Sequence, residues 1–161
     1  MTGDMALVAF LVASPFALAA SYYDLSTMEI PHWVAPAAAA AFTAVVFAGL
    51  PFDEALWRVV GGLIVLAIGF LLFAAGVAGG GDVKLAAAFA ILIAPVDATV
   101  VLILLSVTAL ASLFVIVGLR KTIMSGGGTW RVWNEQKSIP YAVPMAMTLV
   151  IYLALAAFLV N

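Results

Sequence analysis

Gly79-Gly80-Gly81-Asp82-Val83-Lys84-Leu85 stands between two long apolar runs, and those neighbours decide the fold class. Residues 58–78 precede the glycines and residues 83–96 carry the chain onward, with Arg58 and Lys84 as their only charges. The rest of the chain repeats the pattern. Hydrophobic residues make up 67% of 161 and charged residues 9%, with a mean hydropathy of +1.28, far outside the soluble range. A span takes about 20 apolar residues, so residues 1–161 hold one membrane domain of about six spans. The expected fold is all-α, a polytopic transmembrane bundle, with candidate spans at 5–22, 33–50, 58–78, 83–96, 98–119 and 139–160. The fourth run is short and ends at Pro95 and Asp97. It is tilted, shielded by neighbours or only partly inserted, and its failure to cross would invert everything after it.

Charge assigns the sides. The first 23 residues contain Asp4 but no Lys or Arg, so they lack the basic start of a cleavable signal and read as a retained span. If all six runs cross, Lys84, Arg120, Lys121, Arg131 and Lys137 share one face and only Arg58 lies on the other. The positive-inside rule makes the first face cytoplasmic, with both termini outside. Gly62, Gly69 and Gly76 recur every seven residues and mark a packing face of the third span. Trp33, Trp57, Trp130 and Trp133 lie near span ends, as an aromatic belt requires.

Several function classes drop out. With no cysteine there are no disulfides, thiolate metal sites or cysteine nucleophiles. A single histidine, His32, gives no zinc set, and no cofactor is expected. The net charge of -2 comes with no basic stripe interleaved with aromatics, so nucleic acid is not a partner. The triple glycine lacks the Walker spacing and its Lys-Ser/Thr ending.

Asp24 and Asp82 remain. Asp24 lies in Tyr22-Tyr23-Asp24-Leu25-Ser26-Thr27-Met28-Glu29-Ile30-Pro31-His32, where the first span gives way to a polar connection and Pro31 opens the next helix. By themselves, Asp24, Ser26 and Thr27 read as a helix-ending turn and Glu29 as a solvated charge. Asp82 alone reads as a cap on exposed helical N–H groups, and the glycines before it allow positive φ and close backbone approach. Taken together, two acids on one face cannot both ionise cheaply and share a proton. One then acts as base toward water while the other, protonated, polarises a peptide carbonyl. The rival reading is a small ion-coupled transporter or channel binding cations at the pair, since intramembrane acids mark ion paths; its weakness is that both acids lie at one interface. A catalytically silent scaffold is a third.

The Asp24 segment ending in Ile30-Pro31-His32, the Gly79–Leu85 motif, and Ile139-Pro140-Tyr141-Ala142-Val143-Pro144 together resemble the type IV prepilin peptidases, membrane aspartic peptidases with a G-x-G-D motif. The resemblance covers essentially the whole chain. It implies that Asp24 and Asp82 are the catalytic pair, that Gly79 and Gly81 shape the loop holding Asp82, and that Lys84 occupies the family's usual basic position, where snorkelling explains a lysine equally well. It also implies a prepilin or pseudopilin substrate and a location in the bacterial inner membrane, with the site facing the cytoplasm. Leaders in this family are basic, and Glu29, the nearby acid outside the pair, is assigned to substrate contact. Two departures are His32 in place of the usual Asn and Ala142 in place of Gly. The larger members' paired-cysteine segment, associated with N-methylation, is missing here, so the chain resembles the short peptidase-only branch serving Flp-type (tight-adherence) pili.

Overall fold

The computed structural model describes residues 2–123, 130–134 and 139–158, and no strand occurs among them. The helices are α1 (Gly3–Thr27), α2 (Val34–Gly49), α3 (Phe52–Ala74), α4 (Gly80–Ala90), α5 (Ala98–Ile123), α6 (Arg131–Asn134) and α7 (Ala142–Phe158), with a 3-10 turn at Pro95–Asp97 before α5. Three helical stretches, Gly3–Thr27, Phe52–Ala74 and Pro95–Arg120, are long and apolar enough to cross a membrane, and α2 and α7 are shorter apolar helices. The all-α membrane bundle therefore stands. The side chains of Lys121 and Lys137 and the last residues of the sixth expected span lie outside the described residues.

α1 is the organising helix. Thr2 caps its start by accepting from the Met5 N–H at 3.4 Å, and Asp4 complements the positive end of the helix dipole. Its buried residues are Met5, five alanines (Ala6, Ala9, Ala13, Ala17, Ala20 among them) and Asp24, so the face turned inward is almost smooth. Small side chains let helices approach closely in a bilayer, where dispersion rather than hydrophobic burial holds them together. α7 uses that face, and α2 and α6 flank it. α4 packs against α2, α3 and α7, while α5 packs mainly on α7. A hydroxyl pair, Thr108 to Thr148 at 2.7 Å, ties α5 to α7.

The two ends of the bundle are set by contacts. At one end the last turn of α1, the first turns of α4 and α7, and α6 converge: Trp130 meets Tyr22 edge to face, and Arg131 donates to the Thr27 carbonyl at 3.0 Å. At the other end the start of α1 meets the end of α2, where Met5 packs against Gly49.

α4 has 11 residues, which at about 1.5 Å each carries it only about half way through a hydrocarbon core of about 30 Å. The chain then turns among buried residues, Leu92 and Ala94 included. Irregular backbone at such depth needs partners inside the protein. Arg58, with 0% exposure, donates from Nη1 to the Leu92 carbonyl at 2.8 Å and from Nη2 to Glu54 at 2.8 Å. The Tyr152 hydroxyl accepts from the Ala94 N–H at 3.3 Å and donates to Asp97 at 2.7 Å. α5 then returns to the Asp24 end, where Arg120 donates to the Val132 carbonyl at 2.9 Å. The short fourth run is thus an 11-residue helix packed among α2, α3 and α7, and because α5 leads back to the Asp24 end the segments after it are not inverted.

Several local expectations need correction. α1 continues through Asp24 to Thr27 and stops at Met28, which is left-handed at φ 57, so Asp24 belongs to the last helical turn and not to a connection. Pro31 does not open α2; a turn bonded from the Val34 N–H to the Pro31 carbonyl comes first. α3 begins at Phe52, after Pro51, which draws Arg58 from the expected flank into the helix. Gly62 and Gly69 are packing glycines, since a Cβ there would fall 2.8 Å from Ile91 and 2.5 Å from Val83. Gly76 is not. At φ 73 it ends α3 with the paired bonds of a Schellman stop, Val77 N–H to Leu72 and Gly76 N–H to Phe73. Asp97 ends the 3-10 turn before α5, half-buried, with its carboxylate accepting from the Tyr152 hydroxyl.

Candidate active site

The alanine face of α1 leads directly to its carboxylate. Ala13, Ala17 and Ala20 follow spacings of four and three, and the next position, four further on, is Asp24. The side chain therefore enters the α1–α7 interface with 6% exposure. A buried charge needs a partner. The N–H of Ala142, in the first turn of α7, donates to Asp24 Oδ2 at 2.7 Å, the short distance of a charge-assisted bond. That N–H is one of the four a helix leaves unpaired at its start. Ala142, one of the two departures from the family pattern, is fully buried where its N–H meets Asp24.

Asp82 arrives from α4. Gly79 is the N-cap residue, at φ -74 and ψ 141, and Asp82 is the third helical residue. Its carboxylate leans back over Gly79, where a Cβ would fall 2.6 Å from Oδ2. Asp82 caps from the third position, interacting with the backbone N–H of the N-cap residue Gly79, as the acidic half of a capping box does. The positive φ expected of the triple glycine is absent, because Gly76 is the one glycine with positive φ among the described residues. What the glycines provide is space. A Cβ on Gly81 would come within 3.3 Å of Ile30, and one on Gly80 within 3.3 Å of Phe73.

The Ile30–Gly81 contact joins the segment after α1 to the first turn of α4 and brings the acids into one neighbourhood. Asp82 exerts its charge on Asp24. Asp82 stands ahead of the apolar part of α4, half-buried, and burial pushes its carboxyl above its ordinary value while the Gly79 N–H pulls the other way. Unlike Asp24, it opens onto a groove of about 880 Å³ bounded by α3, α4, α5 and α7.

The other expected residues lie around the pair. Glu29 is exposed and faces Arg131 at 3.3 Å, so it already has a cationic neighbour. Lys84 is exposed on the side of α4 turned to α2 and α3, where it lines a smaller groove with Pro36 and Ala39, away from Asp82. His32 is exposed in the turn before α2. Among the described residues no cluster of three or more His, Cys, Asp or Glu side chains could hold a metal ion. The Arg58, Tyr152 and Asp97 network escaped the reading of the sequence. A signal was present, because Pro51 followed by Asp53 and Glu54 is a helix start and places Arg58 one turn beyond Glu54.

Comparison with curated proteins and with solved structures finds no match. A family model described as the Type IV leader peptidase family matches residues 11–118, a stretch that includes both aspartates. With most of its length matched, the chain belongs to the type IV leader peptidase family.

Proposed function

We propose that Asp24 and Asp82 form the catalytic pair of an aspartic endopeptidase that removes the leader of type IV or Flp-type prepilins at the cytoplasmic face of the inner membrane. The observation that carries the reading is the convergence of the two carboxylates, Asp24 held by the Ala142 N–H and under the charge of Asp82, in a chain of the leader peptidase family. In this reading the pair holds one proton between them. The ionised carboxylate takes a proton from water as that water attacks the scissile carbonyl, and the protonated one donates to the carbonyl oxygen. The tetrahedral intermediate then collapses, with the leaving amine protonated by the group that acted as base. Asp24, fixed and enclosed, holds the geometry. Asp82, beside the open groove, meets the substrate. Gly81 keeps α4 close to Ile30 and Gly79 leaves room for the Asp82 carboxylate, so that the acids can meet, and Glu29 with Arg131 lies where a leader would emerge. The excess of Lys and Arg expected on this side supports the cytoplasmic assignment.

Co-expression with a Flp-type prepilin, followed by mass measurement of the pilin, tests the reading. Asp24→Asn and Asp82→Asn each reduce cleavage by on the order of 10³-fold or more, since residues acting as a unit fail together, while expression and insertion stay normal. Near-parental cleavage in either variant would remove the pair from the chemistry.

A further inference from the structure

The groove beside Asp82 has the form of a berth for a helix. Its walls come from α3 and α5, which share no packed interface, and α4 and α7 form its floor. Small residues recur along it: Gly61 and Gly69 on α3, Ala86 and Ala90 on α4, Ala109 on α5. From Gly61 to Leu72 on one wall, and from Ala98 to Ala109 on the other, it runs for about 16 Å at the rise of a helix. It reaches from Asp82 to Pro95 at the start of the 3-10 turn.

Its polar groups are few. The Ser106 hydroxyl is turned back on its own helix, donating to the Leu102 carbonyl at 2.8 Å, which leaves Tyr141 and Asp82 at the mouth. An occupant must therefore satisfy its own backbone, as a helix does and an extended peptide does not. The one acidic lining residue is Asp82, which shares the single negative charge of the pair with Asp24. The phosphate of a lipid whose acyl chain filled the groove would be repelled there, whereas the N-terminal end of a helix carries positive partial charge and is favoured beside a carboxylate.

We infer that this groove receives the apolar transmembrane helix of the protein substrate, about eleven residues of it, with the helix N-terminus at Asp82 and the scissile bond just before it. The inference rests on the aspartic peptidase reading for the chemistry but concerns a separate surface. α3 and α5 then act as the jaws that select a membrane-inserted substrate, and cleavage falls on the N-terminal side of a helix as a consequence of the dipole.

Cross-linking tests this without requiring turnover. The full chain is reconstituted in phosphatidylcholine vesicles with a synthetic peptide that has a short lysine-containing leader followed by an apolar helix. A photoreactive group is placed through Ser106→Cys in the groove or, as a control, through Leu18→Cys, whose parent side chain is 71% exposed on α1. The peptide should cross-link severalfold more from position 106, with adducts on the first turns of its helix. The double variant Gly61→Leu/Ala109→Phe should lower that yield about tenfold, the scale of losing one or two buried side chains. A Cβ at Gly61 meets nothing within 4 Å, so filling that site leaves the fold intact. In Asp82→Asn the adduct should weaken by severalfold at most, the scale of losing one charge beside a helix N-terminus, although cleavage is lost, so the groove and the acid pair fail separately. Equal yields from positions 106 and 18, adducts with lipid that the peptide does not displace, or equal capture of a peptide carrying its lysines after the helix would overturn the inference.

Discussion

Asp24 sits at the end of a closed seam and Asp82 at the mouth of an open groove. Between α1 and α7 the surfaces are smooth and closed, and the carboxylate at the end of that seam is buried and fixed by a backbone N–H. Between α3 and α5 there is no seam, only the groove, and Asp82 at its mouth rides on the first turn of a half-length helix. In the proposed chemistry one carboxylate is held by the enzyme while the other is left for the substrate. A symmetric pair, equally buried on both sides, would bar entry to a bulky membrane-inserted chain.

That contrast can be broken from the closed side first. Ala142→Pro removes the N–H that holds Asp24, at the first position of α7, where helices accept proline. Cleavage should fall on the order of 10–100-fold, the worth of a hydrogen bond to a charged group, while helicity measured by circular dichroism is kept. Ala142→Gly retains the N–H and should cleave almost normally. Equal activity in both variants would show that Asp24 is not held as described.

Enlarging one residue on each side gives the next largest effect. Ala17→Leu forces α1 from α7 and should cost about 1–3 kcal/mol, as overpacking does. Gly61→Leu enters open space and replaces a poor helix former, so stability should hold or rise by up to about 1 kcal/mol. Detergent unfolding monitored by circular dichroism compares them, and equal destabilisation would mean that the α3–α5 side is as closed as the other.

A smaller effect concerns Asp82 and pH. Burial raises its folded-state value above the unfolded one, so the carboxyl supports folding below the unfolded value and that support is lost as pH rises through the folded value. Asp82→Asn should therefore unfold at the same temperature as the parent or higher at about pH 8, with the gap closing as pH falls toward about 4. A lower midpoint at high pH would reverse the sign. Least affected should be Glu29→Gln. Exposed ion pairs are worth about 0–1 kcal/mol, so cleavage should weaken severalfold at most, through apparent affinity and less at high salt. Complete loss of turnover at saturating substrate would move Glu29 into the chemistry.

Much of this was legible in the residues. Apolar runs and their punctuation yielded the all-α membrane bundle, and the G-x-G-D motif pointed to the leader peptidase family, because both signals are local. Arg58 was misread for a physical reason: a lone cation beside an apolar run is normally a flanking charge, and only the carbonyl of Leu92, 34 residues away, explains its burial. The glycines of 79–81 were linked to the site, but freedom of φ and close packing look alike in a sequence. Ile30 and Asp82 Oδ2 decide for packing. The burial of Asp24 could have been read from the alanine spacing that it continues.

The alanine seam has a consequence for rotamer freedom. Alanine has no χ angle to freeze, so closing α1 on α7 costs the side chains of Ala6, Ala9, Ala13, Ala17 and Ala20 no rotational entropy. Asp24 is the one side chain near the end of that stripe with torsions to lose, and the Ala142 N–H arrests it during folding. Ordering of this carboxylate is complete before any substrate arrives, and no part of the entropy of binding is spent on it.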